Sequence, residues 1–204
     1  MEIINAMRTI VDERDIYTRG HSDRVSAIAA DIAGQMKKDK HTIERIRLAG
    51  LFHDIGKVGI SDKILLKPDK LNEEEYANIK KHSGKGAKIL SAITLFHEVV
   101  PIVRSHHEWI DGRGYPDGLK GDAIPEESKI IAVADSFDAM TSHRHYRSNL
   151  SLAQALDELR RGKGTQFAPE VVDAFLEMLD EMGEEKAMEK YGTGKAVEEE
   201  GENE

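Results

Sequence analysis

The 204-residue chain is predicted to be all-α, a compact multi-helix bundle interrupted by one long glycine-rich loop. Three observations predict it. Apolar residues recur at helical spacing along almost the whole chain, no segment alternates apolar and polar residues as a strand would, and the one long break in the pattern carries turn-forming residues. Residues 2–15 read as an amphipathic helix on Ile3, Met7 and Ile10, which could pair with a copy of itself or pack onto its own domain. Val25, Ile28, Ala29, Ile32 and Met36 mark a second helix, and Ile43, Ile46 and Leu51 a third. Ser61-Asp62, and Asn72 followed by Glu75, look like N-terminal caps. Asp111–Pro125 holds four glycines and two prolines and is a structured loop. Ile130, Val133, Ala134 and Phe137 define a late helix, and Pro169 suits the first position of another carrying Val171, Phe175 and Met178. Eight or nine helices are expected. Residues 1–182 are expected to form one domain and residues 183–204, rich in Gly, Glu and Lys, a mobile acidic tail.

Composition excludes several classes. Hydrophobic residues make up 39% and charged residues 33%, and no apolar run approaches the roughly 20 residues of a membrane span, so a cytoplasmic protein is expected. There is no cysteine, which removes disulfides and thiolate ligands; any metal must be held by nitrogen and oxygen. The net charge is −9, and the tail's eight acids and three lysines supply −5 of it, so the body is close to balanced. A binder of nucleic-acid polymers would carry a basic excess instead.

The strongest local feature is His53-Asp54-Ile55-Gly56-Lys57, directly after an apolar stretch. Imidazole beside carboxylate supplies adjacent metal ligands, and the two oxygens of Asp54 suit it to bridge two cations. Lys57, one turn further on, can neutralise a phosphate oxygen. Alone, such a pair would read as capping or surface residues. His21, His82, the tandem His106-His107 and Asp135 change that. Asp135 interrupts a nearly continuous apolar segment and needs a partner, which a cation shared with histidines would provide as well as a salt bridge would. Tandem histidines diverge by about 100° on a helix, so both reach one metal only near a helix end. Asp138 lies three residues after Asp135 and either orients a histidine ligand or is a plain surface or capping residue. His41, His97, His143 and His145 read as surface or supporting residues. Tyr115 either stacks on a bound ring or packs to hold the loop shut, and Arg113 and Lys120 face ligand or solvent. The glycines of the loop are expected to let backbone approach a ligand closely.

The segments YTRGHSDRV, LFHDIGKVGISDKIL, KPDKLNEEE, KHSGKGAKIL, HHEWIDGRGYPDGLKGDAIP, IAVADSFDAMTSHRHYR and GTQFAP resemble, in order, the HD-GYP branch of the HD-domain metal-dependent phosphohydrolases, from about Tyr17 to Val171. The resemblance implies a metal-dependent phosphodiesterase that hydrolyses cyclic di-GMP to pGpG or GMP, with a bridging hydroxide as nucleophile. It implies metal ligands His21, His53, Asp54, His82, His106, His107 and Asp135, one cation taking His21, His53, Asp54 and Asp135 and the other Asp54, His82, His106 and His107. Catalytic roles fall to Asp54 and Lys57; substrate contacts fall to Lys57, Arg144, Arg147 and the Gly114-Tyr115-Pro116 loop. Two divalent ions are implied, Fe or Mn first, with Zn, Co or Ni also compatible with the donors. Tyr17, where some members carry a glutamate ligand, favours two metals over three. His145 replaces a usual proline, and Ala168 replaces an aspartate that would cap the last helix, at a cost of about 0.5–2 kcal/mol. The alternatives are hydrolysis of a related cyclic dinucleotide such as cyclic GMP-AMP, a nucleotide- or redox-sensing module with little turnover, and an interaction protein recruiting a signalling partner or a second copy of itself.

Overall fold

A computed structural model describes Met7, residues 20–142 and residues 150–191. It is all-α as expected: α1 (His21–Gln35), α2 (Lys40–Phe52), α3 (Asp62–Leu65), α4 (Glu73–Ile79), α5 (His82–Leu90), α6 (Val100–Ser105), α7 (Glu126–Thr141), α8 (Leu152–Gly162), α9 (Pro169–Met182) and α10 (Glu184–Tyr191). Short 3-10 turns cover Ile55–Gly59, Thr94–Phe96 and Gly121–Ala123. The described residues contain no strand, only an isolated bridge between Lys163 and Phe167. The expected first helix, Tyr17, His143, Arg144, His145, Arg147 and residues 192–204 lie outside the described residues, apart from Met7.

Local signals explain the boundaries. Asp39 caps α2 by accepting from the amides of His41 at 2.9 Å and Thr42 at 3.1 Å. Asn72 and Glu75 close a reciprocal capping box on α4, as their spacing suggested. Ser61 does precede α3, but its side chain makes no capping hydrogen bond. Pro169 opens α9.

The core gathers Val25, Ile32, Ile46, Phe52, Phe96, Val103, Ile130, Phe137 and Phe175. Phe52 meets Phe96 edge to face at 5.1 Å, and Phe137 meets Phe175 at 4.9 Å. α1 packs against both α2 and α7, while α5 packs on α6 and on the 55–59 turn. Two glycines allow the approaches that build the site. A Cβ on Gly50 would lie 2.6 Å from Ser26 Cα, so α2 closes on α1 at that point and carries His53 towards His21. A Cβ on Gly56 would lie 1.9 Å from the His82 carbonyl oxygen, so the turn after Asp54 rests directly on the start of α5.

Past residue 183 the chain continues as α10, and Ala187 and Tyr191 are buried in the same core. Tyr191 packs near Phe137 and Phe175 and donates to Asp31 at 2.7 Å. One aromatic and one small residue at helical spacing are enough to dock an otherwise charged segment, a signal that the Glu- and Lys-rich composition conceals.

Candidate metal centre

Each candidate side chain stands at an element end or on a face turned inward. His21 is the first residue of α1, entered through Gly20 in a left-handed conformation (φ 72°). His53 closes α2, Asp54 opens the 3-10 turn, His82 opens α5 and His106 closes α6. The end of α6 at Ser105 lets His106 and His107 converge, with ring centroids 4.0 Å apart. Asp135 and Asp138 project from α7.

The structure sorts these residues into two groups whose potential ligand atoms lie within 4.8 Å of one another: His21, His53 and Asp54, and His82, His106 and His107. Asp135 joins the first group, its Oδ1 lying 3.2 Å from His21 Nε2 and 3.8 Å from His53 Nε2. Asp54 faces both groups. Its Oδ2 is 3.5 Å from His53 Nε2 and its Oδ1 is 3.4 Å from His82 Nε2.

The imidazole tautomers follow from the hydrogen bonds behind the rings. Nδ1–H of His53 donates to the Gly50 carbonyl at 2.8 Å, that of His82 to Ile79 at 2.8 Å and that of His106 to Val103 at 2.6 Å. With Nδ1 committed, each neutral ring turns the lone pair of Nε2 into the site. Burial lowers the pKa of His82 and holds that of His106 well below the usual imidazole range; burial takes His107 down to about 3. Neutral rings create a conflict. The Nε2 atoms of His82 and His106 face each other at 3.3 Å with no proton between them, and His53 Nε2 is buried without a hydrogen-bond partner. A divalent cation beside each group resolves both defects, so the donor set fits two metal ions held by nitrogen and oxygen.

The acids are poised accordingly. Burial raises the Asp54 pKa, but Lys57, His53, His82 and His21 outweigh it and hold the carboxyl well below its usual range. Burial likewise opposes ionisation of Asp135, and His21, His53 and His107 reverse it. His21 goes the other way: burial lowers its pKa, but Asp135 and Asp138 raise it to about 9. Without a metal its Nε2 therefore keeps a proton directed at Asp135. Lys57 Nζ sits 2.7 Å from Asp54 Oδ2.

Of the two readings the sequence left open for Asp138, the structure shows the histidine-orienting one, and Arg24 and Glu108 emerge only in three dimensions. Asp138, 2% exposed, accepts from His21 Nδ1 at 2.7 Å. Arg24 clamps the same carboxylate through Nε at 2.6 Å and through a second nitrogen at 3.0 Å. Glu108, 3% exposed, accepts from the amides of Asp117, Gly118 and Leu119 at 2.7, 3.1 and 3.0 Å. It thereby ties the glycine-rich loop to the histidine pair.

The same loop turns back on itself at Gly114. A Cβ on Gly114 would lie 2.3 Å from the Trp109 amide nitrogen and 2.5 Å from the His107 carbonyl oxygen, so the glycine serves the loop's own fold-back. Tyr115 lays its ring 4.7 Å from that of His107, and Pro116 is exposed beside it. Arg113 pairs with Asp111 and lies over Trp109, Lys120 is exposed, and His41 and His97 are surface residues.

The model of the HD domain matches residues 5–171. This chain belongs to the HD-domain family. The HD-GYP resemblance agrees with the relatives it matches. A cyclic di-GMP phosphodiesterase of Thermotoga maritima is 39% identical over 191 residues, 93% of this HD-domain chain and 52% of that protein. The 3'3'-cGAMP-specific phosphodiesterase 3 of Vibrio cholerae is 37% identical, over 90% of this chain and 40% of that one. The chain thus spans about half the length of the curated relatives it matches. Among solved structures, a cyclic GMP-AMP-specific phosphodiesterase of V. cholerae superposes with a TM-score of 0.72 at 20% identity, covering 94% of this chain and 51% of that one. The HD domain of PgpH from L. monocytogenes, in complex with cyclic di-AMP, superposes at 0.57 and 19% identity, covering 87% and 96%. At these identities the structures speak for the fold alone. Among the described residues, no helix is long and apolar enough to cross a membrane.

Proposed function

We propose that this HD-domain chain is a metal-dependent phosphodiesterase that hydrolyses a cyclic dinucleotide, and that the substrate is cyclic di-GMP. The observation that carries the reading is the pair of His/Asp groups facing a single shared carboxylate, Asp54. His21, His53, Asp54 and Asp135 would hold one divalent cation, and Asp54, His82, His106 and His107 the other. Bound there, the cations would supply an acidified water and polarise a phosphodiester, which neutral water does not attack at a useful rate. The donors accommodate Fe, Mn, Zn, Co or Ni, and the HD-GYP resemblance puts Fe and Mn first.

The chain's own residues do the remaining work. Asp138 and the backbone carbonyls behind His53, His82 and His106 fix the rings so that Nε2 points inward. Lys57 exchanges part of its pairing with Asp54 for a phosphate oxygen and balances the charge that develops there. Arg144 and Arg147, outside the described residues, complete the phosphate contacts, and the Gly114–Pro116 segment forms the wall beside His107. One water added across one diester gives pGpG, and a second gives two GMP.

Relatives acting on 3'3'-cGAMP favour that dinucleotide as a second substrate. Protein loaded without oxygen with Fe(II) or Mn(II) is expected to form pGpG or GMP from cyclic di-GMP; absence of both products with either metal overturns the reading. Tight cyclic di-GMP binding by fully metallated protein without turnover would instead support a sensing module. A partner, whether a signalling protein or a second copy of this chain, remains part of the proposal and not of the site.

A further inference from the structure

Between the metal groups and solvent stands a feature that catalysis at phosphorus does not use. Tyr76 and Lys80 lie one turn apart on and just after α4, which is fixed by the Asn72–Glu75 capping box and by Lys67 pairing with Glu75 at 2.7 Å. The Lys80 ammonium lies 5.0 Å from the centroid of the Tyr76 ring and 5.9 Å from that of Tyr115. Tyr115 comes from the glycine-rich loop, and its ring stands 4.7 Å from His107 and 6.4 Å from His82. The cation therefore bridges a helix and a loop along one wall of the metal site.

Its surroundings are unlike those of the neighbouring lysines. Lys57 faces Asp54, Lys67 faces Glu75, Lys81 donates to Asn78 and Lys85 donates to the Gly59 carbonyl. Among the described residues no carboxylate pairs with Lys80; aromatic faces flank it instead. Tyr76 is 51% exposed, and Lys80 links it to Tyr115. A cation alone would suit a phosphate. An exposed aromatic face beside a cation suits a base, because the ring takes a π-face and the ammonium reaches an acceptor edge.

We propose that Tyr76, Lys80 and Tyr115 form a base-binding subsite in which Tyr76 stacks on a guanine and Lys80 donates to its O6/N7 edge, setting a preference for guanine over adenine. Guanine presents two acceptors on that edge, whereas adenine replaces O6 with an amino donor that a lysine cannot use. The inference rests on the cyclic dinucleotide reading above and names which base that site selects.

The test compares kcat/KM for cyclic di-GMP, cyclic di-AMP and bis(p-nitrophenyl) phosphate in the full metal-loaded chain and in Lys80→Met, Lys80→Arg and Tyr76→Ala. Lys80→Met is expected to lower the cyclic di-GMP to cyclic di-AMP ratio by about tenfold, the scale of one lost base-edge contact. Lys80→Arg, which keeps donors for O6 and N7, is expected to retain the ratio. Tyr76→Ala is expected to lower both cyclic dinucleotides by about tenfold while leaving their ratio alone, since every base offers a face to stack on. An unchanged ratio in Lys80→Met, with both dinucleotides falling together, would place Lys80 on a phosphate and overturn the inference. Wild-type protein that cleaves bis(p-nitrophenyl) phosphate but no cyclic dinucleotide would overturn the functional reading, and the base subsite with it.

Discussion

Asp138 shows how much a single side chain can set. It receives His21 Nδ1 at 2.7 Å and Arg24 Nε at 2.6 Å, so Arg24 holds the carboxylate and the carboxylate holds the ring. Asp138→Asn keeps the shape but removes the charge. Metal affinity is then expected to fall by about 10–100-fold in competition with a chelator, with the far-ultraviolet circular dichroism unchanged. Equal affinity in the two proteins would mean that His21 is oriented by something else. The ligand candidates themselves were legible in the sequence, because a nitrogen-and-oxygen metal site needs histidines and carboxylates and few other pressures put Asp135 in an apolar segment. The Arg24–Asp138 clamp was not, since it joins α1 to α7 across more than half of the chain and leaves no periodic trace. Arg24 does fall three residues after His21 on one helix face, which marks it in retrospect.

Elements matter through how their ends are held. The loop from Asp111 to Pro125 was recognisable from glycine and proline, but its anchoring was not, because the acceptor for its amides is a carboxylate that the sequence places among metal ligands. Glu108 takes three backbone amides, and Arg104 adds a two-point contact with Asp117 at 2.7 Å. Glu108→Gln turns an acceptor of three donors into a group that also carries donors, setting its NH2 against the same backbone amides. The expected cost is about 1–3 kcal/mol, together with faster hydrogen exchange at Asp117, Gly118 and Leu119. Unaltered exchange at those amides would remove Glu108 as the anchor. The helices themselves were readable from spacing, and the capping box at Asn72 confirmed one start to the residue. Ser61-Asp62 marked where α3 starts, but its four-residue extent and the 3-10 turns escaped because a single turn leaves too little periodicity to detect.

At the scale of the whole molecule, the metal site is assembled from helices α1, α2, α5, α6 and α7, so its ionisation and the stability of the fold are linked. The metal-free protein contains two opposed tendencies. His21, with its pKa raised to about 9 by Asp135 and Asp138 against burial, binds its proton more tightly when folded than when unfolded. Its contribution is complete below the ordinary value of 6.5 and is lost as pH rises through about 9. His107, taken down to about 3 by burial, is held neutral in the fold, so its contribution is complete above 6.5 and is lost as pH falls towards 3. His82 and His106 act in the same direction as His107, and the depressed carboxyls of Asp54 and Asp135 add to the loss in acid. The melting temperature of chelator-treated protein is therefore expected to peak near pH 6.5 and to decline on both sides. If His21 is a ligand as proposed, Mn(II) would displace its Nε2 proton, so binding is expected to release a proton below pH 9 and the apparent affinity to rise with pH up to that value. The stabilisation conferred by Mn(II) is accordingly expected to grow between pH 6.5 and 9, where the metal-free protein weakens; a stabilisation that stays flat across that interval would show that His21 does not give up its proton to the metal.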